Sequence, residues 1–488
     1  MNRKNIFLIA VIVVTALIYQ CQPPKGNDQN TDVEVEAVQE LDSAQMASEK
    51  LYTEYCSSCH GEQMYAFVDR KWKHGKSTDS LRKSITYGYP DTEMLAWGEV
   101  FSSEQIDDMV DYILMGIENV DRYGFQEDKP ESDTFNTELL TIKLDTVFSG
   151  LEVPWDMNWL PSGDMLVSER SGKLYRVDAD GNQFEIKGVP AVRTKDQDGL
   201  FEIELHPDFT ENNWIYLSYS NLKVDNKDST TTTMVSRFRF ENDQLSNKTK
   251  ILEALPYSSK QYHFGGRMTF DKNSKLFVTV GDRAVRDVNP QDISKVAGKV
   301  HRLNDDGSIP EDNPFVDSLD AVKSIYSYGH RNPQGLTIHP ETGELWEHEH
   351  GPRGGDEINL IESGLNYGWP VISYGINYDA TTFTDKLEQD GMEQPIHYWV
   401  PSIAPSGMAW VSGNKYSAWN GNMLVGSLRF KYLNRCVIEN NKVVKEEILF
   451  KNIGRLRTVK MGPDGYIYVA VEKPGYVFRL LPISLKNT

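Results

Sequence analysis

Cysteine is scarce in this chain, with four in 488 residues, at positions 21, 56, 59 and 436. So few, so widely spaced, exclude a disulfide framework. Positive charge is also short: 51 lysines and arginines stand against 71 aspartates and glutamates, a formal net charge of -20. That balance speaks against a nucleic-acid binder and mostly serves solubility. Long hydrophobic runs are missing too. The one sustained apolar stretch, Ile6 to Ile18 behind Arg3 and Lys4, is too short to span a bilayer comfortably and has the proportions of a secretory signal. Residues 1–20 are therefore expected to be a signal peptide. Cys21 follows where bacterial lipoproteins carry their lipidated cysteine, although Gln20 stands where a small residue is expected. Residues 22–44 read as an acidic, solvated linker, with Asp28, Asp32, Glu34, Glu36, Glu40 and Asp42 and no base from Asp28 to Asp42. The expected location is exported: periplasmic, or held at a membrane by lipid and facing the periplasm.

Two of the four cysteines fall in Cys56-Ser57-Ser58-Cys59-His60. This is the C-x-x-C-H pattern of covalent haem c attachment, with thioether bonds from Cys56 and Cys59 and the His60 imidazole on the iron. A zinc site would need two more ligands nearby, and Cys21 and Cys436 are distant; a chance disulfide pair is the other alternative. The surroundings are similar to a small class I cytochrome c domain over residues 45–120. A helix from about Gln45 to Tyr55 brings Leu51, Tyr52 and Tyr55 to a core. A second helix starts with the capping box Ser102/Gln105 and presents Ile106, Met109, Val110, Ile113, Leu114 and Ile117 as one apolar face. The segment from Gly88 to Gly98 resembles the methionine loop of such cytochromes, which makes Met94 the candidate sixth ligand; a thioether opposite histidine raises the reduction potential. Met64, Met109, Met115 and His74 compete, the helix methionines being better suited to packing. Cys436 has no obvious partner and is expected to be a buried small apolar residue.

A polar stretch, 121–138, separates this unit from residues 139–488, where short β-type runs are punctuated by Gly, Asn and Asp. Six apolar strand, turn, apolar strand units recur. They are Trp159 to Val167, His206-Pro207 into Trp214 to Ser218, Phe270-Asp271 into Leu276 to Val280, His339 to Trp346, Val411 to Val425, and Met461 to Val469. Spacings of about fifty to seventy residues point to a six-bladed β-propeller, with a sandwich as the competitor. The expected fold is thus an all-β six-bladed propeller with a small all-α cytochrome c domain before it.

Three clusters in this region carry chemistry. Tyr262-His263-Phe264-Gly265-Gly266-Arg267 opens a strand whose hairpin returns to Gly281-Asp282, so strand ends would bring the His263 imidazole and the Asp282 carboxylate together. Gly329-His330-Arg331-Asn332-Pro333-Gln334-Gly335 places a cation and an amide on a loop. Glu349 to Asn359 combines glycines with carboxylates, suited to a hard cation such as calcium. Taken singly, each has a structural explanation: a satisfied polar histidine, a surface ion pair, a turn. His348 and His350 alternate on one strand face, but without a third ligand this is weak support for zinc.

These clusters, in order with Gln197-Asp198-Gly199-Leu200, Asn366-Tyr367-Gly368-Trp369-Pro370, Arg455-Leu456-Arg457 and Gly462-Pro463-Asp464-Gly465, resemble the glucose/sorbosone dehydrogenase family from about Gly150 to Pro482. The resemblance implies a propeller that uses pyrroloquinoline quinone (PQQ) and calcium to oxidise aldose sugars or related polyols and aldehydes. It implies that His263 is the base for the sugar hydroxyl, that Asp282 orients it, and that Arg331 stabilises charge at the quinone oxygen. Gln197 and Asn332 would donate hydrogen bonds to PQQ, Arg455 and Arg457 would meet its carboxylates, and Tyr378 would touch it. Calcium would sit on the carbonyls of Gly351 and Pro352, with Glu357 and the Tyr367 backbone at the family's other calcium position. Where the family commonly has a lysine after the residue matching Leu428, this chain has Arg429, with Lys431 two residues on. Electrons would leave through haem to a downstream cytochrome or membrane acceptor. A carbohydrate-binding propeller beside an independent haem carrier, and a calcium-dependent lactonase, are the alternatives.

Overall fold

The computed structural model describes residues 43–56, 74–89, 94, 96–118, 132–225, 228–377 and 381–485. Among the described residues three helices form the first part: α1 (Ser43–Tyr55), α2 (Thr78–Tyr87) and α3 (Ser103–Glu118). The capping box closes as its sequence requires. Ser102 N–H donates to Gln105 Oε1 at 2.9 Å and Gln105 N–H donates to Ser102 Oγ at 3.2 Å, which satisfies two orphan amides at the start of α3. Ile106, Met109, Val110 and Ile113 are buried against Tyr52 of α1 and Leu81 and Ile85 of α2. Helix α2 was not among the helices expected from the sequence; Ser77 caps it through Ser80 N–H, and its buried Leu81 and Ile85 sit one helical turn apart.

The rest is strand. In chain order these are β1 (Thr134–Asn136) and β2 (Leu140–Phe148); β3 (Pro154–Trp159), β4 (Met165–Glu169), β5 (Lys173–Val177) and β6 (Gln183–Glu185); β7 (Leu200–Leu205), β8 (Trp214–Asp225), β9 (Asp228–Glu241) and β10 (Gln244–Glu253); β11 (Met268–Phe270), β12 (Lys275–Val280), β13 (Lys299–Asn304) and β14 (Ile325–Tyr328); β15 (Pro333–Ile338), β16 (Leu345–Glu349), β17 (Asp356–Ile361) and β18 (His397–Trp399); β19 (Pro405–Trp410), β20 (Met423–Ser427), β21 (Leu433–Glu439) and β22 (Lys442–Leu449); and β23 (Arg455–Met461), β24 (Ile467–Glu472) and β25 (Tyr476–Leu485). They make six antiparallel sheets, five of four strands and one of five in the order β1-β2-β25-β24-β23. Strands β3, β7, β11, β15, β19 and β23 each start a blade, and each packs against the next round to β3. This is a six-bladed β-propeller with those strands lining its axis. All six strand-turn-strand units expected from the sequence are the hairpins joining the first and second strands of the blades.

Ring closure comes from the N-terminal side of the domain. Strand β2 pairs with β25 from Leu140 opposite Leu485 to Phe148 opposite Val477, so the sixth blade is built from both ends of the propeller sequence. Strand β1 lies within 121–138, expected to be linker; Phe135 packs edge-on against Phe450, which draws those residues into the sheet. Ile142 on β2 is fully buried in a cluster with Leu424 and Leu433 of the fifth blade and Val469 and Leu480 of the sixth. Cys436, a free and buried thiol, packs among Trp346, Ile358 and Met423. Among the described residues no helix is long and apolar enough to cross a membrane. Ile142→Ala should cost about 2–5 kcal/mol, because it opens a cavity at the closure seam. Chemical denaturation followed by tryptophan fluorescence would measure the loss, and an unchanged midpoint would contradict a closure held by this packing.

Candidate active site

The starts of β11 and β15 and the end of β12 lie at one end of the blades, because the strands are antiparallel, and the candidate residues collect there. His263 has φ +55°, a left-handed conformation that costs energy for a side chain bearing a Cβ. It is held by its backbone N–H, which donates to Gln197 Oε1 at 2.9 Å. Gly265 follows at φ +65°, and a Cβ there would stand 2.8 Å from the Thr279 carbonyl; the glycine is what lets the loop close onto β12.

His263 Nδ1 lies 2.7 Å from Asp282 Oδ1. The carboxylate is fixed on its other side by the Trp369 indole N–H, which donates to Oδ2 at 2.9 Å, and its backbone N–H donates to the Arg331 carbonyl at 2.8 Å. An Nδ1–H donated to Asp282 leaves Nε2 as the imidazole's free lone pair. Burial lowers the His263 pKa, the Arg331 charge adds to that, and Asp282 opposes both. Burial pushes Asp282 upward, but His263, Arg331 and the Trp369 N–H outweigh it and hold the carboxyl below its ordinary range. The arrangement is a neutral imidazole oriented by an ionised carboxylate near neutral pH.

Beside it lies a cavity of about 370 Å³, lined among others by Gln197, Asn332, His350, Arg455, Arg457 and the Trp155 ring. Arg455 Nε and Arg457 Nε both donate to the Glu472 carboxylate, at 3.2 and 2.8 Å. Two guanidiniums thus share one counter-charge, and the surplus positive charge faces the cavity. Arg331 turns its Nη1 to the carbonyls of His350 and Gly351, at 2.9 and 2.8 Å. A cavity lined by aromatic rings, amides and excess cation fits a planar polycarboxylate such as PQQ. Gly351 is anchored by its N–H to Asp356 Oδ1 at 2.8 Å, and the second lone pair of its carbonyl remains for a cation.

The chain belongs to the glucose/sorbosone dehydrogenase family. The family's model matches residues 151–479, and a cytochrome model described as cytochrome c oxidase, cbb3-type, subunit III matches residues 43–113. The chain is 38% identical over 361 residues to the aldose sugar dehydrogenase YliI of Escherichia coli, covering 72% of this chain and 94% of that protein. It is 30% identical over 414 residues to quinoprotein glucose dehydrogenase B of Acinetobacter calcoaceticus, covering 68% and 85%. Among solved structures, the apo form of the E. coli soluble aldose sugar dehydrogenase superposes with a TM-score of 0.66 at 35% identity, covering 70% of this chain and 99% of that one. The PQQ-bound aldose sugar dehydrogenase of Streptomyces coelicolor gives 0.58 at 26%, covering 70% and 97%. The protein is an aldose sugar/glucose dehydrogenase-like propeller with an N-terminal cytochrome c domain.

Of the expected site residues of this family member, Gln197, Asn332, Arg455 and Arg457 line the cavity, whereas His263, Asp282, Arg331, Gly351 and Pro352 do not, although Phe264 and Gly265 beside His263 do. Arg429 is not among the lining residues: its Nη1 points to the Ser402 carbonyl at 3.4 Å and its guanidinium lies 5.2 Å from the Phe430 ring centroid. Glu357 stands opposite Glu349 in the β16–β17 register, and the Tyr367 ring stacks on His330 at 4.8 Å. Burial drives the Glu357 carboxyl well above its usual range, and Glu349 adds to this. His348 and His350 do not share a metal; their Nε2 atoms face the Gly407 and Pro405 carbonyls. Tyr378, Cys59 and His60 lie outside the described residues. Cys56 is half-buried against the helical core, Met94 accepts the Tyr89 N–H through its carbonyl at 3.0 Å, and His74 stacks on Tyr89. Met109 is buried in the helical core, as packing rather than ligation required. Sequence reasoning named Trp369 and His350 without the roles they have here, and missed Glu472. A lone acid ending the apolar strand Ile467–Glu472 was the available signal for the last.

The electrostatics give a measurable expectation. In ¹⁵N-histidine-labelled protein, the resonance that disappears in His263→Gln should titrate below 6.5, and in Asp282→Asn it should titrate lower still, because the carboxylate is the influence that raises it. A midpoint that rises in the variant would contradict the pairing.

Proposed function

We propose that this protein is an exported quinohaemoprotein that oxidises aldose sugars or related polyols and aldehydes to lactones or acids. Electrons would pass to covalent haem c and then to a downstream cytochrome or membrane acceptor. The observation that carries it is the His263–Asp282 pair, set at 2.7 Å beside a cavity with surplus guanidinium charge. The C-x-x-C-H motif on the same chain supports the haem outlet. PQQ, when bound, supplies an electron-poor quinone that takes two electrons from a substrate carbon.

The chain's own residues do the rest. Arg455, Arg457, Gln197 and Asn332 hold the cofactor's carboxylates and polar edge, and Arg331, whose guanidinium carbon is 5.3 Å from the Trp369 ring centroid, stands ready for negative charge that develops there. His263 Nε2 takes the substrate hydroxyl proton, while Asp282 keeps the ring in the tautomer that leaves Nε2 bare. Gly351 and Pro352 carbonyls hold calcium, with Glu357 and the Tyr367 backbone as its second position. Cys56, Cys59, His60 and Met94 would hold the haem, and a signal peptide would export the protein, either free in the periplasm or held at a membrane facing it by a lipid on Cys21. A haem tethered to the same chain meets its donor at a high effective concentration.

Anaerobic addition of PQQ, calcium and a panel of sugars to the purified, oxidised protein should convert the haem to its reduced spectrum. Sugar binding without reduction would favour a binding module, and hydrolysis of a lactone without reduction would favour the lactonase. His263→Gln should retain haem and PQQ and lower the rate of reduction by about 10²–10⁴-fold. Reduction at the wild-type rate in that variant would remove His263 from the role of base.

A further inference from the structure

A second charge imbalance, of opposite sign, lies between the third and fourth blades. His330, Glu347 and Glu349 are all buried, at 0, 0 and 3% exposure, and each turns a ligand-type atom to a common point, with all three atoms within 4.8 Å of one another. Their other atoms are already used. His330 Nε2 is 2.8 Å from the Ser327 hydroxyl, Glu347 Oε2 accepts from Asn359 Nδ2 at 3.2 Å, and Glu349 Oε2 accepts the Arg331 backbone N–H at 2.5 Å. What remains faces inward. Among the described residues His330 Nδ1 and Glu347 Oε1 are buried without any hydrogen-bond partner.

In either tautomer His330 Nδ1 is unsatisfied, because the nearest carboxylate oxygen, Glu349 Oε1, is 3.8 Å away, beyond hydrogen-bond length. Two carboxylates and an imidazole lone pair converging in a dry interior repel one another and forfeit their hydration, which a bound cation relieves, or else a proton: burial and then the Glu349 charge push the Glu347 carboxyl well above its usual range. No lysine or arginine side chain among the described residues forms an ion pair with Glu347 or Glu349. The outer bonds from Ser327, Asn359 and the Arg331 N–H are what a metal site uses to orient its ligands.

We propose that this pocket binds a divalent cation through His330 Nδ1, Glu347 Oε1 and Glu349 Oε1. A nitrogen donor with two carboxylates selects a borderline ion, Mn²⁺ or Zn²⁺, over calcium, which takes oxygen ligands. The ion neutralises both carboxylates and ties β16 to the segment that carries Arg331. It is separate from the Gly351–Pro352 carbonyls and does not depend on the cofactor, and it adjoins the Glu357–Tyr367 calcium position without using those residues: Glu357 stands opposite Glu349 and the Tyr367 ring stacks on His330.

The test uses the full-length haem-loaded protein stripped with a chelator, without PQQ, sugar or calcium, so its failure is independent of the dehydrogenase assignment. Mn²⁺ uptake is read from loss of the free-ion EPR signal at room temperature, and Zn²⁺ by mass spectrometry of the metal after gel filtration. Wild type should take up one equivalent more than Glu347→Gln, or bind it at least about tenfold more tightly, and should gain thermal stability on loading. His330→Gln serves as a second variant if Glu347→Gln misfolds by circular dichroism. Equal uptake by wild type and a folded variant, or a site that takes calcium and refuses Mn²⁺ and Zn²⁺, would overturn the proposal.

Discussion

The pairing of β2 with β25 closes the ring, and everything at the candidate active site depends on that closure. The residues of the site come from different blades: His263 and Asp282 from the third, Arg331 and Asn332 from the fourth, Arg455 and Arg457 from the sixth. Each blade offers only a few residues at the mouth. They converge because six first strands pack in a ring, and a ring with one open seam would let its blades splay. The burial of Ile142 between fifth- and sixth-blade residues is the apolar glue at that seam, adding to the backbone ladder of the pair.

Within this frame the local geometry is specific. Five of the blades' first strands break register near the mouth, between Pro154 and Asp156, Leu200 and Ile203, Pro333 and Gly335, Ser406 and Met408, and Leu456 and Thr458. Such irregularities re-aim side chains at the end of a strand, and Arg457 falls at one of them. The left-handed His263 is another departure from relaxed backbone, held by Gln197 and by the glycines that follow it.

Electrostatics divide the propeller into two unlike regions. At the mouth, Arg455 and Arg457 share Glu472, which leaves positive charge for an anion. Between the third and fourth blades, His330 Nδ1 and Glu347 Oε1 face inward with no hydrogen-bond partner among the described residues, which leaves room for a cation. Buried surplus charge of either sign is costly without a partner, so both places point to something the folded chain carries.

Much of the fold was legible in the sequence. The six hairpins announced themselves because each is a local alternation of apolar strand and turn residues, and the capping box of α3 because it involves residues three apart. The motif order from Gln197 to Gly465 was enough to indicate the family and to nominate His263, Asp282 and Arg331. Helix α2, strand β1 and the seam were not legible: the first two are stabilised by Leu81, Ile85 and Phe135 finding distant apolar partners, and the third pairs residues more than three hundred positions apart. The sequence by itself determined which side chains were available and how each short segment would turn. Only the tertiary structure decided that Trp369 would fix Asp282, that Arg429 would turn toward Ser402, and that Glu347 would face His330. Those outcomes depend on long-range closure and on which buried atoms find a partner, neither of which is encoded in local spacing.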